Sequence, residues 1–140
     1  MIIDRAIYVN GVRSTEPLGP LDEMYEACKA LGGMTWIGLL KPTEDEFEQV
    51  AAEFGLHSLA VEEAIVAHQR PKIEHYGETL FVVLSAATYF DATETVEFAE
   101  LHVFVGADFI ITVRHGSSPD LSQVRRRMEE EVSLLQRGPE

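Results

Sequence analysis

The sequence predicts an α+β (α/β) domain in which helices cover a mixed, largely antiparallel sheet. Three observations predict it. The second half holds successive strand-forming runs separated by turns of a few residues, and strands joined that closely can only be antiparallel. The first half and the C-terminus instead carry apolar residues at helical spacing, bounded by cap residues. Finally, 140 residues with 46% hydrophobic and 25% charged side chains are enough for one packed core and little more.

Each element has a local cause. Ile2, Ile3, Ala6, Tyr8 and Val9 form a strand, and Asn10-Gly11 turns it back toward Val12 and Arg13, because both residues tolerate positive φ. Pro20 suits the first turn of a helix that carries Met24, Tyr25, Cys28 and Leu31 on its packed stripe. Gly32-Gly33 ends that helix, which makes Cys28 a buried core thiol. Residues 34–40 read as a short buried strand around Trp36 and Ile37. Pro42 then blocks an earlier helical start, and Thr43 with Glu46 forms a capping box. Phe47, Val50, Ala51 and Phe54 make the stripe of that helix, and Gly55 closes it. The acids Glu44, Asp45, Glu46 and Glu48 suit the positive end of its dipole. A third helix, capped by His57 or Ser58, is expected to run to about His68 and to be largely buried. Pro71 forces Arg70 into an extended conformation. Strands are expected at 72–76, 79–90, 96–105 and 109–113. A last helix starts near Pro119-Asp120 with Ser118 as cap, and Leu121, Val124, Met128, Val132 and Leu135 as its stripe. Arg125, Arg126 and Arg127 each face a glutamate four residues on, so this triplet is expected to be a solvated face.

Charge narrows the function classes. Acidic residues number 24 against 11 basic, a formal charge of −13. Nucleic-acid binding rests on clustered Lys and Arg, so no nucleic-acid partner is expected, whereas metal cations are attracted. The single cysteine rules out an internal disulfide framework or a Cys-rich zinc cage. Asp4 and Arg5 interrupt any N-terminal leader pattern, and the longest uncharged apolar run, 79–90, is too short for a membrane helix of about 20 residues.

Chemistry-bearing patterns are sparse. No His pair has the i, i+4 spacing of a zinc protease, and no phosphate-binding glycine loop, dinucleotide fingerprint or Gly-x-Ser-x-Gly elbow is present. No enzyme activity is expected. Glu100 and His102 share one strand face, and read either as the start of a metal site or as a structural pair.

The stretch 36–76 is more specific. Trp36-Ile37-Gly38-Leu39-Leu40-Lys41-Pro42-Thr43 is followed by Phe54-Gly55-Leu56-His57, then Val61-Glu62-Glu63-Ala64, then Gln69-Arg70-Pro71-Lys72-Ile73-Glu74-His75-Tyr76. This series resembles the cytoplasmic N-terminal domain of the CorA-type magnesium and cobalt transporters, with the ZntB zinc branch as a relative. Its most diagnostic piece is Gln69-Arg70-Pro71-Lys72, supported by Trp36, Pro42 and Thr43 as motif positions.

The resemblance implies a sheet sandwiched between helices, on the cytoplasmic side of a pentameric inner-membrane channel. It implies that residues 1–140 form a single regulatory domain preceding the stalk and transmembrane helices. The implied role is sensing of Mg²⁺, or of Co²⁺, by carboxylates between neighbouring copies of the domain. The family's aspartate after the long strand falls nearest Asp91, with Glu94 as second candidate, and its partner is an acid on a neighbouring stalk. Asp91 alternatively does no more than begin a hairpin turn. Two other readings stay open: a ZntB-like domain in which His102 or His115 assists Zn²⁺, and a stand-alone cytosolic binding module of the same fold.

Overall fold

The computed structural model describes residues 1–66, 70–116 and 121–139. Its seven strands are β1 (Ile2–Val9), β2 (Val12–Arg13), β3 (Met34–Leu40), β4 (Lys72–Tyr76), β5 (Thr79–Phe90), β6 (Thr95–Val105) and β7 (Phe109–His115). They form one sheet in the order β2-β1-β3-β7-β6-β5-β4. Only β3 and β7 are parallel; the other neighbours are antiparallel, as the short connections of β1–β2, β4–β5, β5–β6 and β6–β7 require. The helices are α1 (Met24–Leu31), α2 (Glu44–Phe54), α3 (Ser58–Ile65), α4 (Ser122–Glu130) and α5 (Val132–Leu135).

Strand alternation sorts the apolar side chains into two layers. Ile7, Ile37, Leu39, Phe81, Phe104 and Ile111 pack with Met24, Cys28, Phe47, Val50, Phe54, Ala60 and Ala64 from α1–α3. The neighbouring strand positions Ala6, Tyr8, Met34 and Trp36 pack on the opposite, outer face with Leu135 of α5 and Met128 of α4. Helices therefore flank both faces, and the expected mixed, largely antiparallel sheet is what forms.

Local signals act as anticipated through much of the chain. Asn10 and Gly11 take φ of 53° and 83° in the β1–β2 turn. A Cβ at Gly11 would collide with Val132 and Gln136, so this turn lies directly against α5. Thr43 Oγ1 accepts the Glu46 N–H at 3.2 Å while Glu46 Oε2 accepts the Thr43 N–H at 3.0 Å, completing the capping box. Cys28 is buried on α1, and burial pushes its thiol pKa up.

Four expectations change. The first helix opens as a 3-10 turn, Leu21–Glu23, before α1 begins. Helix α3 is shorter and less covered than expected. His57 is its cap, with Nδ1 accepting the Leu59 N–H at 3.1 Å, and only Ala60 and Ala64 are fully buried. Two turns can press one stripe on the sheet, which leaves Leu59 outside. The C-terminal helix breaks at Glu131, where φ −98° and ψ 72° leave the helical region, giving α4 and α5. Its buried stripe also differs: Val124 is exposed and Arg125 is buried. His68, and the starting residues Ser118, Pro119 and Asp120, lie outside the described residues.

Candidate functional site

The hairpin of β5 and β6 pairs without a register slip from Leu80 with Val105 to Phe90 with Thr95. At roughly 3.4 Å per residue, its longer arm spans about 40 Å. Helices cover only its base, where Phe81, Val83, His102 and Phe104 are buried. Toward the tip the same face carries Tyr89 opposite Val96 and Ala87 opposite Phe98, with Tyr89 59% and Phe98 75% exposed. Such a run of exposed apolar side chains marks a contact surface.

Asp91 and Glu94 sit in the turn at this tip. The Glu94 N–H donates to the Asp91 carbonyl at 3.4 Å, and Glu94 takes a φ of 50°. The Thr93 and Thr95 hydroxyls hydrogen-bond at 2.7 Å beside them. Both carboxylates are exposed, and neither makes an ion pair among the described residues. Asp91 thus does begin a hairpin turn, and that role leaves its carboxylate uncommitted. Mg²⁺ retains much of its water and often takes only one or two carboxylates, so these two acids offer a suitable partial donor set. Among the described residues no group of three or more His, Cys, Asp or Glu side chains is arranged to hold a metal ion. A protein-rich cation site at the tip therefore requires donors from a second copy or another segment.

The base of the hairpin holds a second polar group. His102 is fully buried, with Nε2 at 2.8 Å from Glu100 Oε2, so the shared strand face does create the pair. Burial lowers the His102 pKa, the Glu100 hydrogen bond raises it, and His115 lowers it again; the direction is downward. The His115 ring lies 5.0 Å from the His102 ring, edge to face, and its Nε2 is 2.7 Å from the Ala64 carbonyl of α3. The His115 bond ties β7 to α3, and the ring contact sets His102 of β6 against it. They make the pair a structural link and leave the zinc reading without a complete donor set among the described residues.

The motif residues take separate places in the fold. Trp36 anchors the outer layer, while Pro42 precedes the α2 cap formed by Thr43. Lys72, not Arg70, pairs with Glu63 of α3, at 2.7 Å, and also reaches Glu74 at 3.1 Å. Arg70 precedes Pro71 as an exposed residue with no ion pair among the described residues. Gln69 lies outside the described residues. One feature went unread in the sequence, namely the burial of Arg125 over the Trp36 ring. The available signal was Arg125 itself, which is four residues after Leu121 and three before Met128, on their stripe.

The mixed sheet and its flanking helices have the fold of the soluble domain of CorA-type metal transporters. The soluble domain of CorA from Methanocaldococcus jannaschii superposes with a TM-score of 0.59 at 14% identity, over 97% of this chain and 51% of that one. The cytoplasmic domain of ZntB from Vibrio parahaemolyticus gives 0.63 at 11% identity, over 92% and 50% respectively. These likenesses establish the fold. Residues 32–139 match the family described as CorA-like Mg2+ transporter protein, and the chain belongs to that family. YfjQ of Bacillus subtilis (strain 168), named as a metal ion transporter, is 31% identical over 104 residues. The match takes in 74% of this chain and 31% of YfjQ, so the chain spans about a third of that relative. Among the described residues no helix is long and apolar enough to cross a membrane.

Proposed function

We propose that residues 1–140 are the cytoplasmic, metal-sensing domain of a CorA-like divalent cation channel of the inner membrane, whose stalk and membrane helices lie in a further part of the protein. In that reading the cargo is Mg²⁺ or Co²⁺ and the assembly is a homopentamer. The hairpin tip is the sensor: Asp91, assisted by Glu94, donates to a hydrated Mg²⁺ shared with an acid of the neighbouring subunit.

The observation that carries this reading is the tip itself. Two exposed, unpaired carboxylates stand beyond an apolar strip, Tyr89, Val96 and Phe98, that this chain leaves uncovered. The strip fits packing against a neighbour, and the acids fit a cation at its edge. With a charge of −13 on each copy, facing surfaces repel when the cation is absent. Bound Mg²⁺ favours the closed, symmetric ring by its differential affinity for that state, which is all a ligand can contribute to a two-state equilibrium.

The test is Mg²⁺-dependent transport by the full-length protein, wild type against Asp91→Ala and Asp91→Ala/Glu94→Ala. Mg²⁺ added on the cytoplasmic face is expected to inhibit the wild type at millimolar levels, and the variants only at higher concentration. Identical inhibition curves would reject this tip as the sensor.

A further inference from the structure

The sheet has an open edge along most of β5. Strand β4 pairs with residues 79–83 only, so the remaining seven residues of β5, 84–90, have β6 on one side and no strand on the other among the described residues. The β4 ladder stops at Lys72, because Pro71 stands at a bend and has no N–H to extend it. Among the described residues no backbone hydrogen bond from outside the sheet reaches 84–90 either. Successive residues of a strand turn their N–H and C=O groups to opposite neighbours, so about half of these seven direct both groups to the empty side.

Edges of this length are ordinarily guarded by a lysine, a proline or a bulge. This one has none of the three. Residues 84–90 hold no charged side chain and no proline, and their pairing with β6 runs without a register slip. Leu84, Ala86, Thr88 and Phe90 share one face, and Ser85, Ala87 and Tyr89 the other. Leu84, Tyr89 and Phe90 are exposed. A strand laid along the edge would pair the idle backbone groups and cover these side chains, as when an extended peptide adds to a sheet.

Charge decides which strand fits. From 73 to 113 the chain has no lysine or arginine, while Glu97 lies opposite Thr88 and Asp91 and Glu94 follow at the tip. An added strand would run about 10 Å from β6, two strand spacings, which is about one Debye length and within the span of a long basic side chain. Lysine stems over Leu84 and Phe90 would carry their ammonium groups toward Glu97, while apolar side chains on the other face cover Ala87 and Tyr89. A second copy of this chain is a poor match, since it brings the same acids and a further −13.

We propose that the open edge of β5 receives an extended segment of a separate protein, apolar and basic in alternation, as an added strand. The contact uses the arm of the hairpin and its backbone, and needs no metal at the tip.

The probe is a nine-residue peptide alternating valine and lysine, blocked at both ends and added to the chain with a chelator present, so that no cation at the tip takes part. Calorimetry reads affinity, and amide hydrogen exchange followed by NMR reads place. Saturable binding is expected, with exchange slowed about tenfold at alternate residues of 84–90. Three comparisons are expected to bind about tenfold more weakly or worse: the peptide with glutamate for lysine, the peptide N-methylated throughout its backbone, and Thr88→Lys, which sets a guarding lysine on the edge opposite Glu97. No saturable binding, equal affinity in any of the three, or binding that leaves these amides unprotected would overturn the proposal. Dimerisation of the chain without peptide, with the same amides slowed, would overturn the separate partner in favour of a second copy.

Discussion

The two halves of the sheet are built differently. On β1, β3 and β7 both faces are clad, the inner by α1 and α2 and the outer by α4 and α5. On β4, β5 and β6 helix α3 and the inner core cover one face near the base, and both faces open to solvent farther out. The row Ile73, Val82 and Val103 runs across the outer face with no fully buried member, and Leu84 opposite Leu101 is 47% exposed. The clad half and the base of the hairpin thus share the core, while the outer hairpin retains exposed apolar surface and carboxylates without an ion pair among the described residues. Burial of apolar surface is favourable, so the open hairpin has stabilisation to gain from being covered.

The largest expected contrast comes from truncating one aromatic at the covered base of β6 and one near its open tip. Phe104 is fully buried and packs on Phe81 at 4.8 Å and Phe47 at 5.7 Å, so Phe104→Ala should cost about 3–5 kcal/mol. Phe98→Ser, at the exposed end of the same strand face, should change the stability of the chain by no more than about 0.5 kcal/mol. Chemical denaturation of both variants checks this, and a large loss for Phe98→Ser would mean that the tip of the hairpin is not open. Next in size is Asp4→Ala. It leaves buried Arg125 without its carboxylate and should cost about 1–3 kcal/mol in the same assay. Thr43→Ala removes the α2 cap and should cost about 1 kcal/mol, read as a lower thermal midpoint.

The smallest effect is a pH dependence seated where the two regions join. Burial holds the His102 pKa below its ordinary value of 6.5. In the unfolded chain the imidazole takes up a proton as pH falls through 6.5, while in the folded chain it resists. Stability from this group is therefore present above 6.5 and is lost as pH falls toward the folded pKa. Stability curves just below pH 6.5, before carboxylates titrate, should be flatter in His102→Gln than in the wild type. Parallel curves would mean that the imidazole is not shielded from the proton.

Legibility in the sequence follows the same division. Elements specified by short-range chemistry were readable. The Asn10-Gly11 turn, the Thr43 box, the α1 stripe and the strands from Lys72 to Val105 each rest on a few adjacent residues. What depended on distant partners was not. Arg125 looks solvated among Arg126, Arg127 and the glutamates that follow, until β1 brings Asp4 and β3 brings Trp36 beneath it. The glutamates follow suit: only Arg127 and Glu131 form the expected i, i+4 pair, at 3.6 Å, while Glu129 turns to Tyr8 and Arg13. The Lys72–Glu63 pair is likewise invisible until β4 places Lys72 against α3. At the candidate site, family resemblance located Asp91 and Glu94. Their exposure and the apolar strip below them emerge only once the hairpin is seen to outrun its helical cover.

The most direct test is protection of the full-length assembly from limited proteolysis across a Mg²⁺ titration, wild type beside Asp91→Ala/Glu94→Ala. Carboxylates that bridge neighbouring copies through Mg²⁺ predict protection of the wild type at millimolar Mg²⁺ and protection of the variant only at distinctly higher concentration. Superimposable protection curves would contradict a Mg²⁺ site at the hairpin tip.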